Sequence, residues 1–390
     1  MNYSSMKKIG FPISGRKGER GNWEEARPGG ADLSALDLAV KMSQMGFQIV
    51  VIIDNDGPTV DYIIRLGLDY VVIELPSIDK RAPFDDAVIE GITNHSAEVE
   101  RHLARESIGT IHTNDAGMHR IWGALKQKLG FIHVWHERGL FQHPAKAEEF
   151  LLAAEMVLTI TMFVRDRAPE SIREKVIVVD DPITIDGVYD RKQDSNWLKN
   201  EFDIPLDAKV FTMIANGNKR KRWDMFFEAA AKSIKSNKRH YFICLGLTVR
   251  SEINDLKRRF ISSDVSNNFI IAGYRYDALR IVSGTDVLVS TAKSEPLGRT
   301  IVEAGMLGTP MIISSEGGHK ELLQQLSPFC LVEDANANKF KSEFDKADEL
   351  AERYVGVRKD VEQSMSWRFA PERHVKSVAN LYMSVLDITV

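Results

Sequence analysis

The sequence predicts an α/β protein made of two Rossmann-like domains that face each other across a cleft. Two observations support this fold class. The chain has 390 residues, roughly twice the size of a usual single domain. Short apolar, β-branched runs alternate with longer helix-like segments, and this alternation occurs twice. Strands that are covered by helices on both faces are apolar throughout, so each series indicates a parallel sheet between two helical layers.

Ten apolar runs are predicted to be the strands. The first series is KKIGFPI, FQIVVIID, DYVVIEL, TIHTN and FIHVWH, and the second is KVFTMIA, HYFICLG, NFIIAG, DVLVST and PMIISS. The polar segment DDPITIDGVYDRKQDSNW lies between the two series and contains Pro182 and Gly187, so we place the domain boundary there. The predicted domains are 1–185 and 186–372. An amphipathic helix of about 373–390 follows and is a candidate to pack back on the first domain.

The helices between the strands have recognisable ends. In GGADLSALDLAVKMSQMG, the apolar residues recur with helical spacing, Gly29 and Gly30 precede them, and Gly46 follows. The segment TIVEAGMLG is interpreted in the same way and is ended by Gly308 and Pro310. These patterns predict helices that begin at the carboxyl ends of the strands, where α/β sheets bind their ligands.

Composition excludes several classes of protein. The chain carries 51 Lys and Arg against 55 Asp and Glu, a net charge of −4, so nothing indicates a nucleic-acid partner. Cys244 and Cys330 lie in apolar runs and are predicted to be core thiols in a reducing compartment. The start, MNYSSMKKIGFPISG, has no apolar stretch like that of a signal peptide. We expect a cytoplasmic protein, with possible peripheral contact at the inner face of the membrane through GRKGER or WGALKQKLG.

The first candidate ligand-binding loop is PGGADLSA, after the first strand. Adjacent glycines at a helix start let backbone N–H groups approach an anion such as phosphate. The alternative is a turn in which Gly29 and Gly30 supply only positive φ angles. Neither domain has a GxGxxG sequence, which argues against a nicotinamide oxidoreductase.

The second candidate loop is SEPLGRTIVEAG, after the strand DVLVST. Glu295 precedes a helix and Glu303 lies within it, so both carboxylates can reach one site beside the N–H groups of Gly298, Arg299 and Thr300. A carboxylate accepts two hydrogen bonds and matches a vicinal diol, which favours a receptor for a nucleotide-linked sugar. The alternatives are that Glu295 caps the helix and Glu303 pairs with Arg299. A glycoside hydrolase needs carboxylates on opposite sides of the bond, and one loop edge suits that arrangement less well.

The stretch SEPLGRTIVEAGMLGTPMIISSEGGHKELL resembles the EPFGxxxxEAMAxGxPVV signature of retaining glycosyltransferases of the family-four type, which have the GT-B fold. Weaker similarity covers nearly the whole chain, through GGADLSALDLAVKMSQMG, FIHVWHERG and MIANGNKRKRWDMFFEAA. The resemblance implies a transferase that takes a sugar from a nucleotide-sugar donor, without a metal or any other cofactor. The adjacent Asp180 and Asp181 differ from the DxD of metal-dependent transferases.

The resemblance also implies a role for each matching residue. Glu303 would hold the ribose hydroxyls, Glu295 would contact the donor sugar, and Lys221 would bind the diphosphate. His136 would touch the donor sugar near the reacting carbon and is the implied catalytic residue together with Glu295. Further donor contacts are predicted for Gly29, Gly30, Asn216, Arg220, Arg275, Pro296, Leu297, Gly298, Arg299 and Thr300.

One position departs from the family pattern. Asn216 stands where the family usually has an arginine, five residues before Lys221. We expect Arg220 or Lys219 to supply the missing charge, because a diphosphate without enough cations is poorly held. Otherwise KRKR resembles a solvated helix start, which we expect of at least two of its four residues.

The three histidines of the first-domain strands are distinguished by position. His112 and His133 fall within or at the end of apolar runs, where a core histidine is the default. His136 is predicted to lie past its strand end and is therefore the candidate ligand contact.

The predicted function is a retaining glycosyltransferase of hexosyl or N-acetylhexosaminyl type. Its donor would be UDP- or GDP-linked, and its acceptor a sugar, polysaccharide or lipid-linked hydroxyl in glycan, polysaccharide or glycolipid biosynthesis. One alternative is a non-hydrolysing nucleotide-sugar epimerase, which would act on the donor alone. The other is a catalytically idle nucleotide-sugar-binding protein, which only Asn216 favours.

Overall fold

The protein consists of two compact α/β units. A computed structural model describes residues 7–15, 18, 20–21, 29–75, 84–143 and 145–385. The first unit, here the first domain, comprises Met1–Pro182 and Phe369–Val390, and the second domain comprises Ile183–Arg368. The division falls three residues before the position expected from the sequence.

The first domain is built on a parallel seven-stranded sheet in the order β3-β2-β1-β4-β5-β6-β7. Its strands are β1 Lys8–Ile13, β2 Ile49–Ile53, β3 Tyr70–Val72, β4 Ile108–Thr113, β5 Ile132–Glu137, β6 Met156–Thr159 and β7 Val176–Val178. Its helices are α1 Gly30–Gln44, α2 Pro58–Arg65, α3 Asp86–Thr93, α4 Ser96–Glu106, α5 Ala116–Lys126, α6 Ala145–Leu152, α7 Met162–Arg165 and, from the end of the chain, α16 Pro371–Val385.

Both faces of this sheet are buried, which explains its apolar strands. In β2, Val50 and Ile52 belong to the apolar cluster on one face, whereas Val51 and Ile53 belong to the cluster on the other. Successive strand side chains point to opposite faces, so a strand covered on both sides must be apolar at every position. The second cluster includes Tyr382 of α16, so the C-terminal helix is part of the first-domain core.

The second domain has a parallel six-stranded sheet in the order β10-β9-β8-β11-β12-β13. Its strands are β8 Lys209–Ile214, β9 His240–Leu245, β10 Phe269–Gly273, β11 Val287–Ser290, β12 Met311–Ser314 and β13 Leu331–Val332. Its helices are α8 Arg191–Glu201, α9 Trp223–Ser236, α10 Arg250–Phe260, α11 Ala278–Gly284, α12 Arg299–Met306, α13 Gly318–Leu323, α14 Ala337–Asp345 and α15 Ala347–Arg368. The order reverses between β8 and β11, which is the place where such sheets bind ligands.

All ten predicted runs are strands, so the predicted alternation is confirmed. The structure adds β6, β7 and β13, which have four, three and two residues and were not among the predicted runs. Both cysteines are buried free thiols, and burial raises the pKa of Cys330 to about 11. Within the described ranges, no helix is both long and apolar enough to cross a membrane.

Candidate active site

The loops at the carboxyl ends of β8, β11 and β12 meet in the second domain. The loop after β8 contains a 3-10 turn at Lys219–Lys221, and Lys293 N in the loop after β11 donates to Arg220 O at 2.8 Å. The loop after β12 joins this group because Gly318 N donates to Glu295 O at 2.7 Å. Three loops that are distant in sequence therefore form one site at the reversal point of the sheet.

Glu295 binds two cations in this site. Its Oε2 accepts hydrogen bonds from Lys221 Nζ at 2.7 Å and from Arg220 NH1 at 3.0 Å. Burial by itself would raise the pKa of Glu295, but the positive charges of Lys221 and Arg220 outweigh burial and lower it. The carboxylate is therefore ionised at neutral pH. Because its side chain is only 12% exposed, these charge-assisted bonds are weakly screened by solvent.

Two glycines allow the backbone to take this path. Gly317 has φ +124°, and a Cβ there would lie 2.6 Å from Glu295 N, so no other residue fits without displacing the Glu295 loop. Gly298 has φ +86° and is the N-cap residue of α12, which has no side-chain cap. The alternative that Glu295 caps this helix is therefore wrong, because its carboxylate binds the two cations instead.

Arg222 joins the three loops, a role that the sequence did not reveal. Its Nε donates to Thr291 O at 2.6 Å, and its NH2 donates to Ser314 Oγ at 3.0 Å and to Glu316 Oε2 at 2.5 Å. The prediction that at least two residues of KRKR are solvated is wrong, since of these four only Lys219 is exposed. The run is local in sequence, but the partners of its cations come from two other loops.

Asn216 shapes the turn that carries these cations. Its side-chain oxygen accepts from Asn218 N at 3.2 Å, and its carbonyl accepts from Trp223 Nε1 at 2.9 Å. Its own side chain is uncharged and exposed. The second cation at Glu295 is Arg220, whereas Lys219 points to solvent, so the geometry favours Arg220 over Lys219 as the compensating charge.

The remaining predicted donor contacts of the second domain have different environments. Pro296 and Leu297 are buried, whereas Arg299, Thr300 and Glu303 are half-buried at the start of α12 and one turn into it. Arg275 donates to Asp277 at 2.8 and 2.6 Å and to Glu201 at 2.9 Å, and these carboxylates raise its pKa. Its charge is already balanced, so a phosphate would have to compete with two carboxylates for it.

The predicted glycine pair of the first domain stands at the start of a helix. Gly29 is the N-cap residue of α1 with φ −69°, and Gly30 is its first residue. The alternative that this pair supplies positive φ angles is therefore wrong. Both glycines are exposed, so their N–H groups remain accessible. The preceding segment 22–28 lies outside the described residues.

The two basic segments proposed for membrane contact differ in how much of their charge is described, and in the second one Lys128 is exposed. Most of the charge of GRKGER lies outside the described residues, because only 18 and 20 of 16–20 are described. Arg20 pairs with Asp61 at 3.0 Å. In WGALKQKLG, Lys126 donates to Glu155 at 2.6 Å.

His136 is buried in the first domain. The prediction that it lies past its strand end is wrong, because β5 runs through Glu137 and His136 pairs with Leu158 of β6. Its Nδ1 lies 3.2 Å from His112 Nε2 and 3.3 Å from Arg138 NH2. Burial, followed by the charge of Arg138, lowers the pKa of His136 well below its ordinary value, so the ring is neutral. Its Nε2 has no hydrogen-bond partner within the described part of the chain.

Comparison with known proteins identifies relatives of this fold. Residues 194–360 match the model of the family described as glycosyl transferases group 1. The structure of Anabaena Alr3699/HepE in complex with UDP and glucose is 17% identical, with a TM-score of 0.79 over 97% of this chain and 100% of that chain. A glycosyltransferase from Rickettsia africae is 16% identical, with a TM-score of 0.79 over 99% and 100%.

A third solved structure, sucrose-phosphate synthase from Thermosynechococcus elongatus, is 14% identical, with a TM-score of 0.74 over 98% and 100%. A search of curated proteins finds no match. With two parallel-sheet domains and these likenesses over nearly the whole chain, the predicted GT-B fold is confirmed.

Proposed function

We propose that this chain, whose residues 194–360 match the model of the group 1 glycosyl transferases, transfers a sugar from a nucleotide-sugar donor to an acceptor hydroxyl with retention of configuration at the anomeric carbon. The match of residues 194–360 to this family model and the similarity to solved glycosyltransferases confirm the resemblance to glycosyltransferases that the sequence shows. They support an enzyme of the glycosyltransferase class. The observation that carries the proposal is the arrangement of Glu295 with Lys221 and Arg220 at the reversal point of the second sheet.

These three residues suit a sugar diphosphate. Glu295 offsets one of the two positive charges of Lys221 and Arg220 and orients both side chains before the ligand arrives, which lowers the free-energy cost of ordering them later. An ammonium has three N–H donors and a guanidinium has five, so both can hold Glu295 and phosphate oxygens together. We propose that they bind the diphosphate, that Glu295 accepts sugar hydroxyls, and that Glu303 accepts the ribose hydroxyls. The Anabaena protein has been solved in complex with UDP-glucose, which supports a UDP-linked donor, with a GDP-linked donor as the other candidate.

The first domain is proposed to supply the remaining contacts. Gly29 and Gly30 open a 15-residue helix, where N–H groups favour an anion such as the distal phosphate. His136 is neutral and is proposed to touch the donor sugar near the reacting carbon.

In the proposed reaction the bond from the anomeric carbon to the leaving phosphate oxygen breaks, and its electron pair departs with the diphosphate. A bond to the acceptor oxygen forms on the same face, and the acceptor proton passes to the leaving phosphate. We propose that Lys221 and Arg220 stabilise the departing charge without a metal.

Substitution of adjacent cations tests the donor site. Replacing Arg220 with Ala should weaken UDP or GDP binding by about 10- to 150-fold, because a charge-assisted hydrogen bond contributes roughly 1.5 to 3 kcal/mol. Replacing exposed Lys219 with Ala, in the same turn, is the matched control and should leave binding unchanged. Binding is measured by thermal shift and calorimetry with UDP, GDP and related nucleotides. A R220A protein that binds as wild type, or a K219A protein that loses binding, would contradict the assignment.

The reaction itself is tested with the nucleotide sugar that binds. Nucleotide release that requires an acceptor, with a product whose anomeric proton coupling matches that of the donor, is the expected result. Isomerisation of the donor alone would identify an epimerase instead, and binding without turnover would identify an idle protein. Glu303→Gln should chiefly weaken nucleotide binding, whereas His136→Ala should chiefly lower turnover. Unchanged turnover in His136→Ala would remove its catalytic role.

The setting of the reaction is part of the same proposal. We propose a hexosyl or N-acetylhexosaminyl donor and a sugar, polysaccharide or lipid-linked acceptor, with the enzyme acting in the cytoplasm, where nucleotide sugars would reach it. Binding to vesicles with and without anionic lipid tests the peripheral membrane contact. Equal recovery of the protein in the supernatant with both kinds of vesicle would contradict the proposed membrane contact.

A further inference from the structure

We propose that Arg138 fixes the tautomer of His136, so that this histidine offers an Nε2–H donor to its ligand, and that Tyr382 of the C-terminal helix α16 acts through His112 as a positioning residue. The inference rests on the proposed role of His136 in the transfer reaction. The residues that carry it are Tyr382, His112, His136 and Arg138, and all of them belong to the first domain.

Two buried hydrogen bonds join α16 to His136. Tyr382 Oη lies 2.8 Å from His112 Nδ1, and His112 Nε2 lies 3.2 Å from His136 Nδ1. Both histidines are fully buried, and Tyr382 is 1% exposed. The distances alone allow two arrangements of the protons, because each neutral imidazole carries one N–H and one bare nitrogen. In one arrangement Tyr382 donates to His112 and His112 donates to His136. In the other, His136 donates to His112 and His112 donates to Tyr382.

Arg138 decides between these arrangements. Its NH2 lies 3.3 Å from the same Nδ1 of His136, and a guanidinium can only donate. Nδ1 of His136 must therefore be the acceptor, and the ring proton lies on Nε2. His112 then donates from Nε2 and accepts from the Tyr382 hydroxyl at Nδ1. In the opposite arrangement the N–H of His136 would face an N–H of Arg138, and the hydroxyl proton of Tyr382 would lose His112 as acceptor, which is costly for buried groups.

Arg138 is itself held in place by buried hydrogen bonds, so the fold fixes the donor that it directs at His136 Nδ1. It is buried, its Nε donates to Asn114 Oδ1 at 2.9 Å, and its NH1 pairs with the carboxylate of Asp181. Ser34 Oγ of α1 donates to the other oxygen of Asp181 at 3.0 Å. Strand ends and helix α1 together orient the guanidinium that determines the tautomer.

This tautomer limits what His136 can do. Its Nε2–H is buried and has no hydrogen-bond partner among the described residues, so a hydroxyl or phosphate oxygen of a ligand that reaches it would satisfy this donor. A neutral ring with a protonated Nε2 donates there and cannot take a proton there. Helix α16 contributes a second contact, because the His374 ring stacks on the His136 ring at 6.0 Å and His374 Nδ1 donates to Asp180 O at 2.5 Å.

Nitrogen NMR of histidine-labelled protein tests the tautomers directly. The chain has 10 histidines, and single His→Gln variants assign their signals. Long-range proton–nitrogen correlations in the ligand-free wild type should show Nε2–H for both His112 and His136. In Tyr382→Phe, His112 Nδ1 loses its hydroxyl donor, so the His112 Nδ1 signal should shift, whereas the Nε2–H of both rings should persist because Arg138 is unchanged. Turnover should fall on the order of tenfold with a smaller change in KM, because the reacting groups are mispositioned while donor binding persists.

Tyr354→Phe is the matched control. Tyr354 of α15 is 1% exposed, like Tyr382, but its hydroxyl has no hydrogen-bond partner in the described part of the chain. This variant should keep the wild-type histidine signals and turnover.

Three results would overturn the inference: an Nδ1–H signal for His136 in the wild type, an unchanged His112 signal in Tyr382→Phe, or unchanged turnover in that variant. The spectra need no substrate, so the two proposals can fail separately. Nε2–H signals in a protein that transfers no sugar would refute the proposed function and leave the tautomer assignment intact. An Nδ1–H signal for His136 in an enzyme that transfers sugar would refute the tautomer assignment and leave the proposed function intact.

Discussion

Acidification should destabilise the first domain steeply, because four of its histidines are buried and neutral. Burial is the main cause that lowers the pKa of each, to about 3 for His133 and His374 and well below the ordinary value for His112 and His136. In the unfolded chain the same groups have a pKa of about 6.5. The unfolded state therefore binds more protons below that pH. Stability is lost as pH falls from about 6.5 towards the folded pKa values.

The size of this effect follows from proton linkage. Between pH 8 and pH 5.5, each histidine that stays neutral in the folded state and titrates at about 6.5 when unfolded costs about 1.4 kcal/mol. The four together cost about 5 to 6 kcal/mol, which is comparable with the whole free energy of unfolding of many domains, about 5 to 15 kcal/mol. Between about a third and all of the free energy of unfolding of the first domain should therefore disappear across this range.

Urea unfolding at a series of pH values between 8 and 5.5 measures this loss. His133→Gln removes one of the four groups at a fully buried position away from the proposed ligand contact. It should reduce the pH-dependent part of the loss by about a quarter, whatever its effect on stability at pH 8. Equal midpoints at pH 8 and 5.5 in the wild type, or the same pH dependence in His133→Gln, would refute the reasoning.

Two further changes test the loops of the second domain. Gly317→Ala places a residue at φ +124° with its Cβ 2.6 Å from Glu295 N. The strain of roughly 1 to 3 kcal/mol should lower the unfolding midpoint and weaken donor binding, whereas Gly356→Ala, which meets nothing within 4 Å, should be neutral or stabilising in calorimetry. Arg222→Lys keeps the charge but loses the planar group that reaches Thr291 O, so calorimetry should show a lower midpoint. Wild-type midpoints in Gly317→Ala and Arg222→Lys would contradict these roles.

The sequence by itself determined the architecture and the place of the donor site. Strands buried on both faces must be apolar at every position, so the sequence alone predicts the ten runs as strands. The helix starting near Gly30 was equally visible because caps and periodicity are local signals. Glu295 could be identified because its motif is contiguous, and the family resemblance rests on the same residues.

Only the tertiary structure decided which side chains meet. Glu295 binds Arg220 and Lys221 across a separation of 75 and 74 residues, and no local pattern shows this pairing. The sequence KRKR is typical of a solvated helix start for the same reason, since it does not contain the partners of its cations. The prediction that His136 lies outside its strand is wrong because pairing with β6 extends β5, and the sequence of β5 does not contain these contacts.

The contact between Tyr382 and His112 spans 270 residues and exists because α16 returns to the first domain. Hydrophobic periodicity specifies helices, strands and their buried faces within a short window of sequence. Hydrogen bonds between loops and distant helices depend on the order of strands in the sheet and on the path of the chain, which are properties of the folded molecule as a whole.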